Sequence, residues 1–181
     1  ALNVKAALAG IQEIASCNPG FLPVMISVSV GDRSGRTLTG QTLEAFYTSV
    51  RHYPILSFGL NCSLGAAELT PLMEDMDKWC GSAVSCYPNA GLPNEMGGYD
   101  QSPEEMARQV LAMASKGLVN VVGGCCGTTP GHIRAIADAL KGTKPRRLPE
   151  SGENAGKILT VSGLEAVTVD VKRNNFTNVG E

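Results

Sequence analysis

The amino-acid sequence predicts an α/β protein in which parallel strands alternate with helices. Short apolar segments rich in β-branched residues recur along the chain, and each is followed by a polar or glycine-rich loop and then by a helical stretch. The predicted strands span residues 22–30, 54–60, 83–87 and 117–122. Because strands that alternate with helices pair in parallel through right-handed crossovers, two architectures fit. One is a doubly wound sheet, and the other is an α/β barrel, for which four strands are half of the eight required.

The helical stretches are predicted from the periodicity of their apolar residues. They span residues 41–52, 66–80, 102–115 and 131–140, and Ser102 with Glu105 has the pattern of a capping box. A further helical stripe runs from the first residues to the Asn-Pro-Gly sequence at 18–20. Because the chain begins inside this stripe without an initiator methionine, we expect it to be a fragment of a longer protein.

The last part of the sequence changes character after the final predicted helix. Residues 145–156 are polar and rich in proline and glycine, so they are predicted to form a linker with its boundary near Pro145. Residues 1–144 then form the α/β domain. Beyond the linker, residues 157–171 are predicted to form a hairpin and 176–179 the first strand of a further domain, into which 157–181 lead.

Composition narrows the functional classes. Apolar residues make up 43% of the chain and charged residues 18%, which is typical of a packed globular protein. The formal net charge is −2 and the basic residues are scattered, which excludes an electrostatic footprint for nucleic acid. The sequence has neither an apolar run of the roughly 20 residues that a membrane span needs nor a secretory signal, so we expect a cytoplasmic protein without a membrane partner.

Three of the six cysteines follow predicted strands directly. Cys62 comes after the strand at 54–60, and the adjacent Cys125 and Cys126 come after the strand at 117–122. The carboxyl ends of parallel strands form the reactive face of an α/β fold, and a barrel could bring the three thiols together there. Three thiolates around a zinc ion leave one tetrahedral position for a substrate, which is the arrangement of catalytic zinc sites.

Other interpretations remain open on residue type alone. Cys125 and Cys126 could be core residues, although the flanking glycines are poor packing material, and a disulfide between neighbours would be strained. The strongest rival is a phosphate site at residues 123–130, where a glycine-rich loop opens a helix, but it leaves Cys62 unexplained. His132 is predicted to be a surface or capping residue, and Asn89 either a turn residue or a substrate ligand.

Three motifs together resemble the homocysteine S-methyltransferase family. They are Gly-Leu-Asn-Cys at 59–62, Tyr-Pro-Asn-Ala-Gly-Leu-Pro-Asn at 87–94 and Gly-Gly-Cys-Cys-Gly-Thr-Thr-Pro at 123–130. The resemblance implies that residues 1–144 are the second half of an eight-stranded TIM-type barrel. It also implies zinc ligation by Cys62, Cys125 and Cys126, and binding of the homocysteine amino acid group by Asn61 and Asn89.

Further stretches are similar to the cobalamin-dependent methionine synthases, one branch of this family. They lie at 34–38, 40–42 and 106–107, and the segments at 162–165 and 176–181 resemble the lead into a folate-binding domain. This branch implies methyl transfer from methylcobalamin and 5-methyltetrahydrofolate to homocysteine, with folate and cobalamin modules of the same enzyme as partners. Since the cobalamin module is absent from this sequence, we expect the isolated chain to be inactive. A betaine-type homocysteine methyltransferase is the alternative.

Overall fold

A computed structural model describes residues 1–18, 20, 22–149, 158–170 and 172. The helices in these residues are α1 (Leu2–Cys17), α2 (Leu43–Val50), α3 (Ala66–Met76), α4 (Pro103–Ser115) and α5 (Pro130–Ala139). The strands are β1 (Val24–Val28), β2 (Ile55–Gly65), β3 (Ala83–Asn89), β4 (Val121–Val122), β5 (Ile158–Ser162) and β6 (Ala166–Asp170). None of the described helices combines the length and the hydrophobicity that crossing a bilayer requires.

The first four strands form one parallel sheet in sequential order, β1-β2-β3-β4. Right-handed crossovers between strands laid down in one direction place every connecting helix on the same face of the sheet. A doubly wound sheet instead reverses its strand order and carries helices on both faces. The observed order confirms the parallel α/β prediction and is consistent with a partial barrel.

The hydrophobic core lies between the sheet and its helices as one continuous cluster. Phe58 is fully buried at its centre, with its ring centroid 5.1 Å from that of Tyr47 and 5.9 Å from that of Phe46. Burying an aromatic side chain of this size contributes about 2 to 3 kcal/mol. Side chains alternate between the two faces along a strand. In β2, Phe58 faces the helices, so Ser57 and Asn61 lie on the opposite face of the sheet.

The fourth strand departs most from its prediction. The strand was predicted over 117–122, but only Val121–Val122 pairs with β3 as a strand. Gly117 has φ of 71° and donates its N–H to Ala114 O, so it ends the helix that precedes the strand. The predicted start of the strand was therefore wrong, because the glycine serves the preceding helix.

The start of α4 follows ordinary capping chemistry. Ser102 accepts a hydrogen bond from Glu105 N at 3.2 Å, which confirms one half of the predicted capping box. The Glu105 carboxylate instead accepts from Gln109 and pairs with Arg108. Helix α3 ends at Met76, four residues before its predicted end at Cys80.

The predicted hairpin is present as the antiparallel pair β5 and β6. Its turn contacts the start of α2, where Leu164 O accepts from Thr42 N at 2.9 Å and Gly163 O accepts from Gln41 Nε2 at 2.9 Å. Arg36 pairs with Glu165 beside these bonds. The hairpin thus packs on the α/β domain. Pro19, residues 150–156 of the predicted linker and the strand predicted at 176–179 lie outside the described residues.

Arg146 closes the edge of the sheet where the strands begin. Its side chain is only 2% exposed, and Nε donates to Asp77 Oδ1 at 2.7 Å. The guanidinium also donates to the carbonyl oxygens of Cys80, at 2.8 Å, and Ser82, at 3.2 Å. Although it lies one residue past the predicted boundary at Pro145, Arg146 is part of the packed domain. The division into three regions remains a prediction.

Candidate metal centre

Three cysteine sulfurs meet where the strands of the parallel sheet end. Cys62 Sγ lies 3.5 Å from Cys126 Sγ, and Cys125 Sγ lies 4.0 Å from Cys126 Sγ. All three sulfurs are within 4.8 Å of one another, and they are the cluster of potential metal ligands found in the described part of the chain. The structure therefore brings together the three residues that the sequence singled out.

Cys62 reaches the cluster through an irregularity in β2. The register of β2 against β3 shifts between Asn61 and Gly65, in a segment that the sequence predicted to be a loop. Cys62 and Ser63 both have left-handed backbones, with φ of 62° and 64°. A left-handed conformation costs a residue other than glycine roughly 1 to 2 kcal/mol, so this segment stores strain beside the thiols.

Cys125 and Cys126 are held by backbone bonds that continue the β3–β4 ladder. Beyond the end of β4, Cys125 N donates to Pro88 O at 2.8 Å, and Ala90 N donates to Cys126 O at 2.9 Å. The loop also needs its glycines, because a Cβ on Gly124 would collide with the side chain of Thr128. The backbone on both sides of the cysteine pair is thus anchored to β3 and to Ala90, the residue that follows it.

The environment of each thiol is distinct. The pKa of Cys62 is lowered, chiefly because the backbone N–H of Ser63 donates to its sulfur. Burial raises the pKa of Cys125, and its neighbour Cys62 adds to the effect. Cys86 lies in the apolar core, where burial raises its pKa to about 12, and burial also raises the pKa of Cys80.

The cluster fits a zinc ion. Sulfur ligands lie about 2.3 Å from zinc, so two corners of a zinc–thiolate tetrahedron are separated by about 3.8 Å. The two separations in the structure, 3.5 Å and 4.0 Å, bracket this value. All three cysteines are partly exposed, and no fourth histidine, cysteine or carboxylate joins them among the described residues. Structural zinc sites close with four protein ligands, whereas catalytic sites keep one position open to solvent or substrate.

The two asparagines predicted to bind substrate are close to the cysteines, since Asn61 directly precedes Cys62 and Asn89 bonds Cys126. Asn89 is 1% exposed, and its Oδ1 accepts from Cys126 N at 3.1 Å. Its side chain also interacts with the Cys62 sulfur. Asn61 is half-buried, and its carboxamide bonds Ser27 Oγ at 2.7 Å and Ser29 Oγ at 3.2 Å. Substrate binding by either residue stays a prediction.

The sequence did not predict a role for Tyr99 beside the sulfurs, and it predicted only part of the setting of His132. Tyr99, from the long loop after β3, packs on Gly127, since a Cβ there would lie 2.6 Å from Tyr99 Cγ. The pKa of Tyr99 is raised, first by burial and then by Cys126. His132 caps α5, as predicted, but it is 5% exposed and therefore not a surface residue. The available sequence signal for Tyr99 was Gly127, because a glycine directly after the cysteines leaves room for a bulky side chain to pack there.

The fold and the cluster together define an α/β protein with three thiols, close enough to hold a metal ion, at the carboxyl ends of its strands. The sequence matches the model of the homocysteine S-methyltransferase family over residues 1–140. The chain therefore belongs to the homocysteine S-methyltransferase family, and this membership supports a methyltransferase that methylates homocysteine.

Proposed function

We propose that this chain carries the zinc site of a methionine synthase, with Cys62, Cys125 and Cys126 as the protein ligands. The observation that carries the proposal is the convergence of three sulfurs, from two separate segments, at the spacing of a zinc tetrahedron. The bound zinc would act as a Lewis acid that lowers the pKa of the homocysteine thiol. Activation is needed because a free thiol has a pKa near 8.5 and the thiolate is the nucleophile.

The protein residues then have separate tasks. The three cysteines hold the metal, and the Ser63 N–H stabilises the Cys62 thiolate. Asn89 fixes the Cys126 backbone, and the carboxamides of Asn61 and Asn89 supply donors and acceptors for the substrate amino and carboxylate groups. In the overall reaction the homocysteine sulfur forms a bond to the methyl carbon, the bond between the carrier and this carbon breaks, and the thiol proton passes to solvent.

The finer assignment is to the cobalamin-dependent branch. The proposal includes an eight-stranded barrel, of which β1 to β4 form half, and a methyl group supplied by methylcobalamin and 5-methyltetrahydrofolate on other modules. The segments at 34–38 and 162–165, which resemble this branch, support it over a betaine-type enzyme. The hairpin containing 162–165 packs on α2, where it could lead into a folate-binding domain.

The rival phosphate site has less support. A phosphate at the start of α5 would need free backbone N–H groups there. Thr128 N instead donates to Cys125 O at 3.1 Å, and Thr129 N donates to His132 Nδ1 at 3.2 Å. Two amides that would face the anion are already bonded, so the cysteines remain the better candidates for chemistry.

The proposal is tested by zinc-edge X-ray absorption on the purified chain with and without homocysteine. We expect three sulfurs around zinc in the chain alone and four after homocysteine is added. Cys126→Ser should weaken zinc binding by at least about 100-fold in a chelator competition, equivalent to roughly 3 kcal/mol, because one of three thiolates is lost.

Cys17→Ser is the matched control, since Cys17 is an exposed thiol at the end of α1. This variant should bind zinc like the unmodified chain. A sulfur coordination number that does not change when homocysteine is added would contradict the proposal. Protection of the fold by inorganic phosphate, with indifference to chelators, would favour the rival site.

A further inference from the structure

His132 is a buried polar residue to which the proposed chemistry gives no role. It lies in the first turn of α5, three residues after the helix cap Thr129, and only 5% of it is exposed. Both ring nitrogens have partners. Nδ1 lies 3.2 Å from Thr129 N and 2.8 Å from Thr129 Oγ1, and Nε2 lies 2.9 Å from Gln101 O.

These partners assign the proton on the ring. The Thr129 backbone nitrogen can only donate, so Nδ1 must be the unprotonated acceptor. The Gln101 carbonyl oxygen can only accept, so Nε2 must carry the hydrogen. His132 therefore bridges two backbones, with Nδ1 accepting from Thr129 in the cysteine loop (residues 123–129) and Nε2 donating to Gln101 in a different loop.

The second loop, residues 90–101, is ordered by its own hydrogen bonds. Asn94 Oδ1 accepts from Met96 N at 3.0 Å and from Gly98 N at 2.8 Å, and Asn94 Nδ2 donates to Asp100 Oδ2 at 2.7 Å. At its start the loop is also held by Ala90 N, which donates to Cys126 O at 2.9 Å, so His132 holds its other end. Its attachment to the rest of the site then decides where its side chains lie.

The side chain that this attachment places at the metal centre is Tyr99, two residues before the Gln101 carbonyl. The ring of Tyr99 packs directly on Gly127, the residue after Cys126. Gly127 has φ of 76° and could not carry a Cβ without displacing the tyrosine. Tyr99 thus forms a wall beside the sulfurs on the side of Cys126.

We propose that His132 is a positioning residue that ties loop 90–101 to the cysteine loop and thereby holds Tyr99 as a wall of the homocysteine pocket. The inference rests on the proposed function for the identity of the substrate. The tie between the loops does not depend on that identity, because it follows from the hydrogen bonds of His132 alone. His132 acts through Gln101 and Tyr99 and touches neither the metal ligands nor the substrate.

A purely structural role would be limited to capping α5. Glutamine is an ordinary residue at this position of a capping box, because its side-chain oxygen accepts from the N-cap N–H. It also carries an N–H₂ group that can donate to Gln101 O. Alanine can make neither bond. Thr129→Val removes the hydroxyl that contacts His132 Nδ1 and accepts from the His132 backbone N–H, but it keeps the Gln101 bond, so it is the matched control for the cap.

The test compares the full chain with its His132→Ala, His132→Gln, Thr129→Val and Tyr99→Ala variants, all loaded with zinc. Hydrogen exchange is measured at the Gly97 and Gly98 amides of the loop, and homocysteine affinity and zinc affinity are measured separately. In His132→Ala we expect loop exchange to speed up about tenfold or more and homocysteine binding to weaken about tenfold, because a local tie is lost. Zinc affinity should change less than about threefold, because β3 still holds both cysteines.

Tyr99→Ala should reproduce the loss of homocysteine affinity, and it carries the test if His132→Ala does not fold. His132→Gln should restore most of the loss, and Thr129→Val should resemble the unmodified chain. The inference is overturned if the alanine variants bind homocysteine normally, or if Thr129→Val is impaired as much as His132→Ala. An unmodified chain that binds zinc without binding homocysteine would defeat the proposed function, while hydrogen exchange would still decide whether His132 ties the loops.

Discussion

The two edges of the parallel sheet are built for different purposes. At the edge where the strands end, two residues adopt left-handed backbones and three thiols are partly exposed. At the edge where the strands begin, Arg146 is buried and its guanidinium is bonded to Asp77, Cys80 and Ser82. Because the strained backbone and the buried arginine lie at opposite edges, strain beside the thiols does not weaken the packing at the other edge. The difference indicates that changes at one edge should affect stability and changes at the other should affect metal binding.

Two asparagines make the comparison sharper, because they do similar work at opposite edges. Asn89 accepts from Cys126 N at 3.1 Å, where the strands end. Asn120 accepts from Val84 N at 2.8 Å and donates to Arg146 O at 2.7 Å, where they begin. Each side chain joins β3 to the segment around β4. Only the first lies beside the sulfurs.

The largest effect on stability is expected from Arg146→Ala. The substitution leaves several carbonyl oxygens without a donor and removes the partner of Asp77, which should lower the free energy of unfolding by about 3 kcal/mol. Urea denaturation measures the change. The exposed neighbour Arg147 is the control, and Arg147→Ala should change stability by less than about 0.5 kcal/mol. If Arg146→Ala lowered zinc affinity as strongly as it lowers stability, the two edges would not have separate roles.

A smaller and more selective effect is expected from Asn89→Ala. The Cys126 N–H loses its acceptor, so the cysteine loop is less well positioned and zinc affinity should fall roughly 10- to 100-fold. Asn120→Ala removes a bond of the same kind from the other edge. It should lower stability by about 1 to 3 kcal/mol and leave zinc affinity within about threefold of the unmodified chain. Chelator competition measures the zinc affinity of both variants. Equal losses of affinity would contradict the separate roles of the two edges.

The smallest effect is expected at the strained segment. Ser63 has φ of 64°, a conformation that glycine adopts without steric cost. Ser63→Gly should raise the free energy of unfolding by roughly 0.5 to 1 kcal/mol, because the relieved strain exceeds the added entropy of the unfolded chain. Ser63→Ala keeps the strain and should be close to neutral. A glycine variant less stable than the alanine variant would show that the left-handed backbone is not strained.

Several elements were predictable because their signals are local. The apolar strand at 54–60 and the helix at 102–115 have clear periodicity, and Ser102 marks a helix start by its own chemistry. The short β4 was not predictable in the same way. Leu118 and Val119 are apolar and buried like strand residues, but they lie between the turn at Gly117 and Val121, the first residue that pairs with β3.

The sequence by itself determined the alternation of strands and helices, and it placed Cys62, Cys125 and Cys126 directly after two strands. These features follow from periodicity and from the order of residues along the chain. Only the tertiary structure decided which side chains lie beside the sulfurs and what holds them there, because Asn89, Tyr99 and His132 act through contacts between segments that are far apart in sequence. Such contacts depend on how β3 and β4 lie side by side, and no local pattern encodes that arrangement.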